Sequence, residues 1–394
     1  MKKINLDKLT ENIYYTNVIL LVLKIYYSIS EIFVVPNFVS KLITFYILGT
    51  FLLSLIINTI RKKYDLKINI IEYLVVILAF YSSLVSKDFN IILTCFLIIG
   101  IKDVDLRKTI EIILKVNVII MSIHIVLYTF AWIFKIGNLE LQYNSDGEPR
   151  YCFFLNNPNQ FSIILFGAYS AYVYLRYEKI KPIDYIIGLI LSIFIYVFPK
   201  SRTSSIMSLL FVVLIAISKI DNKIIKKIIC YVAKYLFLII FIFTLIFVTN
   251  FDNLKKNKFV WKMDTMLSGR IWHTNLAYKN YGLTLFGQNI DYDKVVKYDK
   301  EIILDNFYAK MILNYGIILS LILAIWFIYK NKSMKLEDCV FLIIFSIVGI
   351  TEFHMSNACI GIALLIIGAN YSKNNKVTNR ELDGIYEGEE NGEN

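Results

Sequence analysis

From Ile13 to Tyr371 the chain is a succession of apolar runs about 20 residues long, separated mostly by short charged segments. A helix needs about that length to cross the hydrocarbon core of a bilayer. Inside lipid every backbone N–H and C=O must be paired within the structure, which leaves helices or closed barrels. Runs this long and apolar predict helices. Twelve spans are expected. The first six are Ile13–Val35, Val39–Ile60, Ile68–Ser86, Phe89–Ile101, Thr109–Phe134 and Pro158–Tyr177. The last six are Pro182–Phe198, Thr203–Ser218, Ile228–Val248, Asp305–Tyr329, Glu337–Glu352 and Met355–Tyr371. Phe89–Ile101 is short, and is expected to be tilted, half-inserted or broken. No internal repeat of the kind that builds many transporters is evident. The expectation is one all-α polytopic membrane domain over 1–371. The first span reads as a retained anchor rather than a cleaved signal.

Charge sets the orientation. The net charge is +11, which in a water-soluble protein would suggest nucleic acid. Here the cations sit largely in short loops, so no nucleic-acid partner is expected. With the N-terminus inside, the inner segments hold 23 Lys and Arg, far more than the short outer loops. That asymmetry places both termini in the cytoplasm. The stretch 372–394, rich in Glu, Gly and Asn towards its end, reads as a disordered acidic cytoplasmic tail. The five cysteines are scattered and give neither a disulfide framework nor metal-ligand spacing.

The orientation puts one long polar segment, 249–304, outside. It carries nine Lys and Arg. Three polar sites share its face. In Asn156-Asn157-Pro158-Asn159-Gln160, Asn157 suits an N-cap and Pro158 the first helical position. The segment either simply opens a span or, with its exposed amides, holds sugar hydroxyls or phosphate; Arg150 lies just upstream. In Pro199-Lys200-Ser201-Arg202-Thr203, Ser201 or Thr203 can cap the next helix. Arg202 then stands at a helix N-terminus, where the dipole disfavours a cation unless an anion is bound. The plainer reading is a pair of cations reaching for the interface. In Ser268-Gly269-Arg270, Ser268 resembles a cap for a helix through Trp272 and Tyr278, lying on the membrane surface and ending at Gly282 and Leu285-Phe286-Gly287. Arg270 again sits at a helix start.

The loop ends at Asp305-Asn306-Phe307-Tyr308. Asp305 is either the N-cap of the next helix or a general base; a capping carboxylate has a lowered pKa and is a poor base. Lys310 follows near the outer leaflet. Glu352 is a further acid at the outer end of a span. Asp291-Tyr292-Asp293 matches a metal–nucleotide-sugar pattern, but such donors are cytoplasmic, so a solvated turn is expected. His124, His273 and His354 are single. Lys24 and Glu31, seven residues apart, are expected on one helix face, lining a polar cavity or pairing with other spans.

On these residues the chain resembles the Wzy-type O-antigen and capsular polysaccharide polymerases, within the O-antigen ligase/polymerase superfamily. The matching pieces are Asn157-Pro158-Asn159, Ser201-Arg202-Thr203, Ser268-Gly269-Arg270 with Trp272, and Leu285-Phe286-Gly287. Asp305-Asn306-Phe307-Tyr308, Asn314-Tyr315-Gly316-Ile317, Glu352 and Asn357 follow. They span Arg150 to Asn357; the first five spans match in hydropathy only. The resemblance implies a GT-C-like fold in the bacterial cytoplasmic membrane and a metal-independent, inverting glycosyl transfer. The substrate would be an oligosaccharide on undecaprenyl diphosphate, with a flippase and a chain-length regulator as pathway partners. On this reading Arg202 and Arg270 bind the diphosphate, Arg150 assists, and Asp305 is the base or orients the acceptor. Asn157, Asn159, Lys200, Ser201, Asn306, Tyr308 and Glu352 shape the substrate site. Many ligases carry His-Asn where this chain has Asp305-Asn306. A glycan ligase, a transporter of lipid-linked sugar and a structural subunit are the competing expectations.

Overall fold

The computed structural model describes residues 5–61, 64, 66–136, 142–143, 147–291, 302–329 and 334–370. The expected tail, 372–394, and Asp293 lie outside these residues. The first helices are α1 (Leu6–Ile29), α2 (Asn37–Ile60), α3 (Leu66–Ser86), α4 (Asn90–Gly100) and α5 (Leu106–Phe134). A short hairpin of β1 (Gln142–Tyr143) and β2 (Pro149–Arg150) leads to α6 (Pro158–Arg176), α7 (Pro182–Val197), α8 (Arg202–Ser218) and α9 (Lys223–Leu254). Then come α10 (Lys258–Met266), α11 (Arg270–Tyr281), α12 (Phe307–Lys310), α13 (Ile317–Tyr329) and α14 (Leu336–Val348). A last helix, α15, covers 363–370.

Local chemistry sets the helix starts: α6 begins at Pro158 as expected, whereas α1, α5 and α9 begin seven, three and five residues before the expected spans. Asn5, Asp105, Asn157 and Asn222 cap α1, α5, α6 and α9 by accepting backbone N–H groups. Each such cap contributes about 1 kcal/mol. Among the described residues four helices, α2, α3, α5 and α9, are long and apolar enough to cross a membrane, and α7, α8 and most of α13 are shorter apolar helices. Their outward faces carry exposed large side chains such as Phe45, Leu74, Trp132, Ile193 and Phe243. An apolar exterior of that extent suits lipid rather than water. The chain is therefore a multi-pass, helical membrane protein.

Between helices, polar contacts supplement apolar packing, as expected where lipid gives no hydrophobic drive to association. Asn17 bonds Thr50 between α1 and α2, Tyr26 donates to Asn117 between α1 and α5, and Ser192 and Ser205 join α7 to α8. At one end of the bundle lie several ion pairs: Arg61–Asp7, Lys102–Glu72, Lys108–Glu11 and Arg176–Asp184. The hairpin, α10, α11 and the N-terminus of α12 gather at the opposite end, where the α6 entry pairs with the α1 exit through Ser30 and Leu155.

Three expectations change. The segment Asp305–Tyr329 is not one helix. α12 passes into a π-turn, Met311–Tyr315, and breaks at Gly316, whose φ is +92°. The break is where the long loop docks. Ile317 and Ile318 donate to the carbonyls of Thr284 and Leu285, and Gln288 donates to that of Asn314. Gly287 and Gly316 meet backbone to backbone, leaving no room for a Cβ on either. The final two spans also depart from regular helix. α14 stops at Val348, and the chain runs through the 3-10 turn Phe353–Ser356 before α15. Lastly, α11 does not lie free on a surface: it packs on the end of α9, where Asn275 donates to the Val248 carbonyl at 2.7 Å.

Candidate functional site

Arg270 and Asp305 meet across 35 residues of chain: Arg270 Nη2 lies 3.3 Å from Asp305 Oδ2. The geometry comes from two helix starts. α11 begins after Ser268 and Gly269, both with positive φ. Its cap is neither of them. The Asp264 carboxylate accepts from the Ile271 and Trp272 N–H groups at 2.9 and 3.1 Å. Arg270 is thereby turned inward, 9% exposed, with Nη1 donating to the Leu267 carbonyl and Nε without a hydrogen-bond partner. The helix after the loop is capped by Asn306, which accepts from Ala309 N–H at 2.9 Å. Asp305 is therefore not the cap, and the conflict between capping and basicity disappears. Burial raises its pKa above the ordinary carboxylate value against the opposing pull of Arg270, His273 and Lys310.

Glu352, in the link after α14, sits in the field of both groups. It is 3% exposed, and Oε1 has no hydrogen-bond partner. Burial pushes its pKa up to about 8; Arg270 opposes the shift and Asp305 adds to it. At neutral pH Glu352 is therefore mostly protonated, beside the Arg270–Asp305 pair.

Next to this cluster lies a cavity of about 390 Å³ between α1, α4, α6, α12 and the Phe353–Ser356 turn. Lys310 lines it, 3.3 Å from Asp88 Oδ2 and 4.0 Å above the Phe353 ring. Asp88 also accepts from the Tyr315 hydroxyl at 2.6 Å and the Asn90 N–H at 3.0 Å. Burial alone would raise the Asp88 pKa, but Lys310 and these hydrogen bonds bring it below the ordinary value. His354 is pushed down to about 4 by burial and by Lys310, so it is neutral at physiological pH. Gln160 reaches the same cavity from the first turn of α6.

One residue before Gln160, Asn159 accepts from Arg150 Nη2 at 2.6 Å, while Arg150 Nε donates to the Pro199 carbonyl at 2.9 Å. Arg150 thus ties the hairpin, the α6 start and the α7–α8 turn together. Asn157 does cap α6, accepting from Asn159 N–H at 2.8 Å. Lys200 pairs with Glu148 at 2.9 Å. Ser201 is buried and donates to the Ser204 hydroxyl rather than capping α8. Arg202 is exposed at the first position of α8.

The expected residues thus fall into two groups, Arg270–Asp305–Glu352 and Arg150–Asn159 with Lys200 to Arg202. Two do not offer ligand contacts. Tyr308 is wholly buried and donates to the Ser346 carbonyl at 2.8 Å, and Asn306 is occupied as a cap. Lys24 lines the cavity as envisaged, but Glu31 does not share its helix face, because α1 ends at Ile29. Asp88 and Tyr315 were not anticipated as part of the site. Asp88 carried one local signal, a carboxylate between two apolar runs, but nothing near it in sequence names Lys310 as its partner.

No family model matches the sequence, and neither a curated protein nor a solved structure is significantly similar to it.

Proposed function

We propose that this chain is a polysaccharide polymerase. It joins oligosaccharide repeat units carried on undecaprenyl diphosphate, at the outer face of the bacterial cytoplasmic membrane, using a twelve-span, GT-C-like framework with both termini inside. The observation that carries the reading is the Arg270–Asp305 pair beside the buried Glu352. A diphosphate leaving group needs fixed cations at the membrane surface, and arginine offers planar two-point contact to its oxygens. Arg270 has an unengaged Nε–H. Arg202 and Arg150 supply further positive charge from the second group.

In the transfer step an acceptor hydroxyl oxygen bonds to the anomeric carbon as the bond from that carbon to the diphosphate oxygen breaks. The hydroxyl proton passes to Asp305, whose desolvated carboxylate is more basic than an exposed one. The diphosphate departs with the bonding electrons and is held by arginine. Glu352, kept neutral, adds no negative charge against it.

The test is the surface-glycan ladder of cells lacking the protein, complemented with wild type, Arg270→Ala or Asp305→Asn at matched membrane levels. A ladder collapsed to one repeat unit and restored only by wild type supports the reading. A normal ladder in the deletion strain refutes it; unchanged repeat polymerisation with failed transfer to the final acceptor identifies a ligase instead.

A further inference from the structure

The 390 Å³ cavity has a composition that the diphosphate chemistry does not use. Its size falls within the range of small-ligand sites. Leu21, Leu93, Leu97, Ile163 and Ile164 form an apolar wall, and Asn90, Gln160 and Asn357 bring side-chain amides to the same space. Asn90 and Ser28 are exposed, so the cavity opens at the end of the bundle that carries the Arg270 cluster. Amides together with an apolar surface are what a sugar ring requires, with hydroxyls on its edge and C–H groups on its faces.

The charge count narrows the choice. Two lysines line the cavity, Lys24 and Lys310. Lys310 is balanced by Asp88 at 3.3 Å. Lys24, half-buried on α1, has no ion pair among the described residues. Asp88 acts on it from a distance but is engaged by Lys310; a desolvated cation without a direct partner is costly, and an anion in the cavity would relieve that cost. The surplus is one positive charge. That suits a single carboxylate and falls short of a diphosphate, for which the arginines stand nearby. Gln160 Oε1 is buried without a hydrogen-bond partner and so has an acceptor free for a sugar hydroxyl.

We infer that this cavity is a subsite for an acidic sugar of the repeat unit, with Lys24 holding its carboxylate and Asn90 and Gln160 its hydroxyls. The inference rests on the glycosyl-transfer reading for the identity of the ligand. It makes Lys24 a specificity residue: repeat units with a uronic acid at the corresponding position are accepted, and neutral isosteres are disfavoured.

The test is saturation-transfer NMR on the full chain in detergent, with D-glucuronate, D-glucose, inorganic phosphate and pyrophosphate as probes. Glucuronate should bind wild type more tightly than glucose does. Lys24→Gln should weaken glucuronate binding about tenfold and Lys24→Arg should largely retain it, the change expected for one charge-assisted hydrogen bond. Equal binding of glucose and glucuronate to wild type would overturn the inference, as would glucuronate binding unaltered in Lys24→Gln. Displacement of glucuronate by pyrophosphate far below the concentration of phosphate needed would also overturn it, and would make the cavity the diphosphate site. If Lys24→Gln does not fold, the probe comparison on wild type still decides. Because binding is read without turnover, it is separable from the ladder. A normal ladder in the deletion strain with intact glucuronate selectivity would remove the polymerase reading alone, and the converse pattern would remove the subsite alone.

Discussion

Two neighbouring residues, Asp305 and Asn306, divide the work at the end of the long loop, and substitutions should separate them. Asp305→Asn keeps the shape and leaves the Asn306 cap intact. It should abolish the glycan ladder with little effect on membrane level. Asn306→Ala removes the cap, worth about 1 kcal/mol. It should lower the melting temperature in detergent while leaving residual polymerisation; the two readouts measured on both variants check the assignment. Glu352 provides a pH test. Its folded pKa of about 8 lies above the ordinary 4.5, so between those values the folded state keeps a proton that the unfolded state has lost. The stabilisation is complete below about pH 4.5 and is lost as pH rises towards 8. Glu352→Gln should flatten that decline, so melting temperatures of wild type and variant should diverge with pH. Parallel curves from pH 5 to 8 would contradict the buried, protonated acid.

At the scale of elements, two helix starts were legible because a proline at the first turn is a local signal, whereas the caps at α8, α11 and α12 were not. Asn157-Pro158 opens α6 and Pro182 opens α7 as their chemistry demands. What stayed hidden were features made by contacts distant in sequence. Hydropathy runs smoothly through Gly316, so only the docked loop reveals the break there. Leu285-Phe286-Gly287 and Asn314-Tyr315-Gly316 were both visible as separate motifs, but not as two halves of one joint. The same holds for the site: Arg270 and Asp305 could each be suspected from their positions, whereas the cap at Asp264 that aims Arg270 could not. The joint makes its own prediction. Gly316→Ala places a Cβ against the Gly287 backbone at a strained φ. It should cost about 1–3 kcal/mol from the backbone conformation alone. Limited proteolysis should then cut the 255–291 region faster than in wild type, with the ladder reduced in parallel.

For the whole molecule, the two ends of the bundle differ in chemistry. One holds short loops tied by ion pairs such as Arg176–Asp184; the other gathers the loop, the hairpin and the cavity. The proposed orientation puts the second end outside. In a variant without the five native cysteines, a cysteine at Lys256 should react with a membrane-impermeant maleimide in intact cells, and one at Lys179 only after permeabilisation. The reverse pattern would turn the molecule over and remove lipid-linked glycans on the outer surface as substrates.

The Gly287–Gly316 joint also has a meaning in time. The chain is made from its N-terminus, so Arg270 and the Asp264 that orients it exist before Asp305 has been synthesised. Until residues 314–318 arrive, the loop lacks the backbone partners on which it docks. The last fifth or so of the sequence, from residue 314 onward, therefore acts as a finishing piece. A chain halted before Gly316 carries both arginine groups but neither the joint nor Glu352.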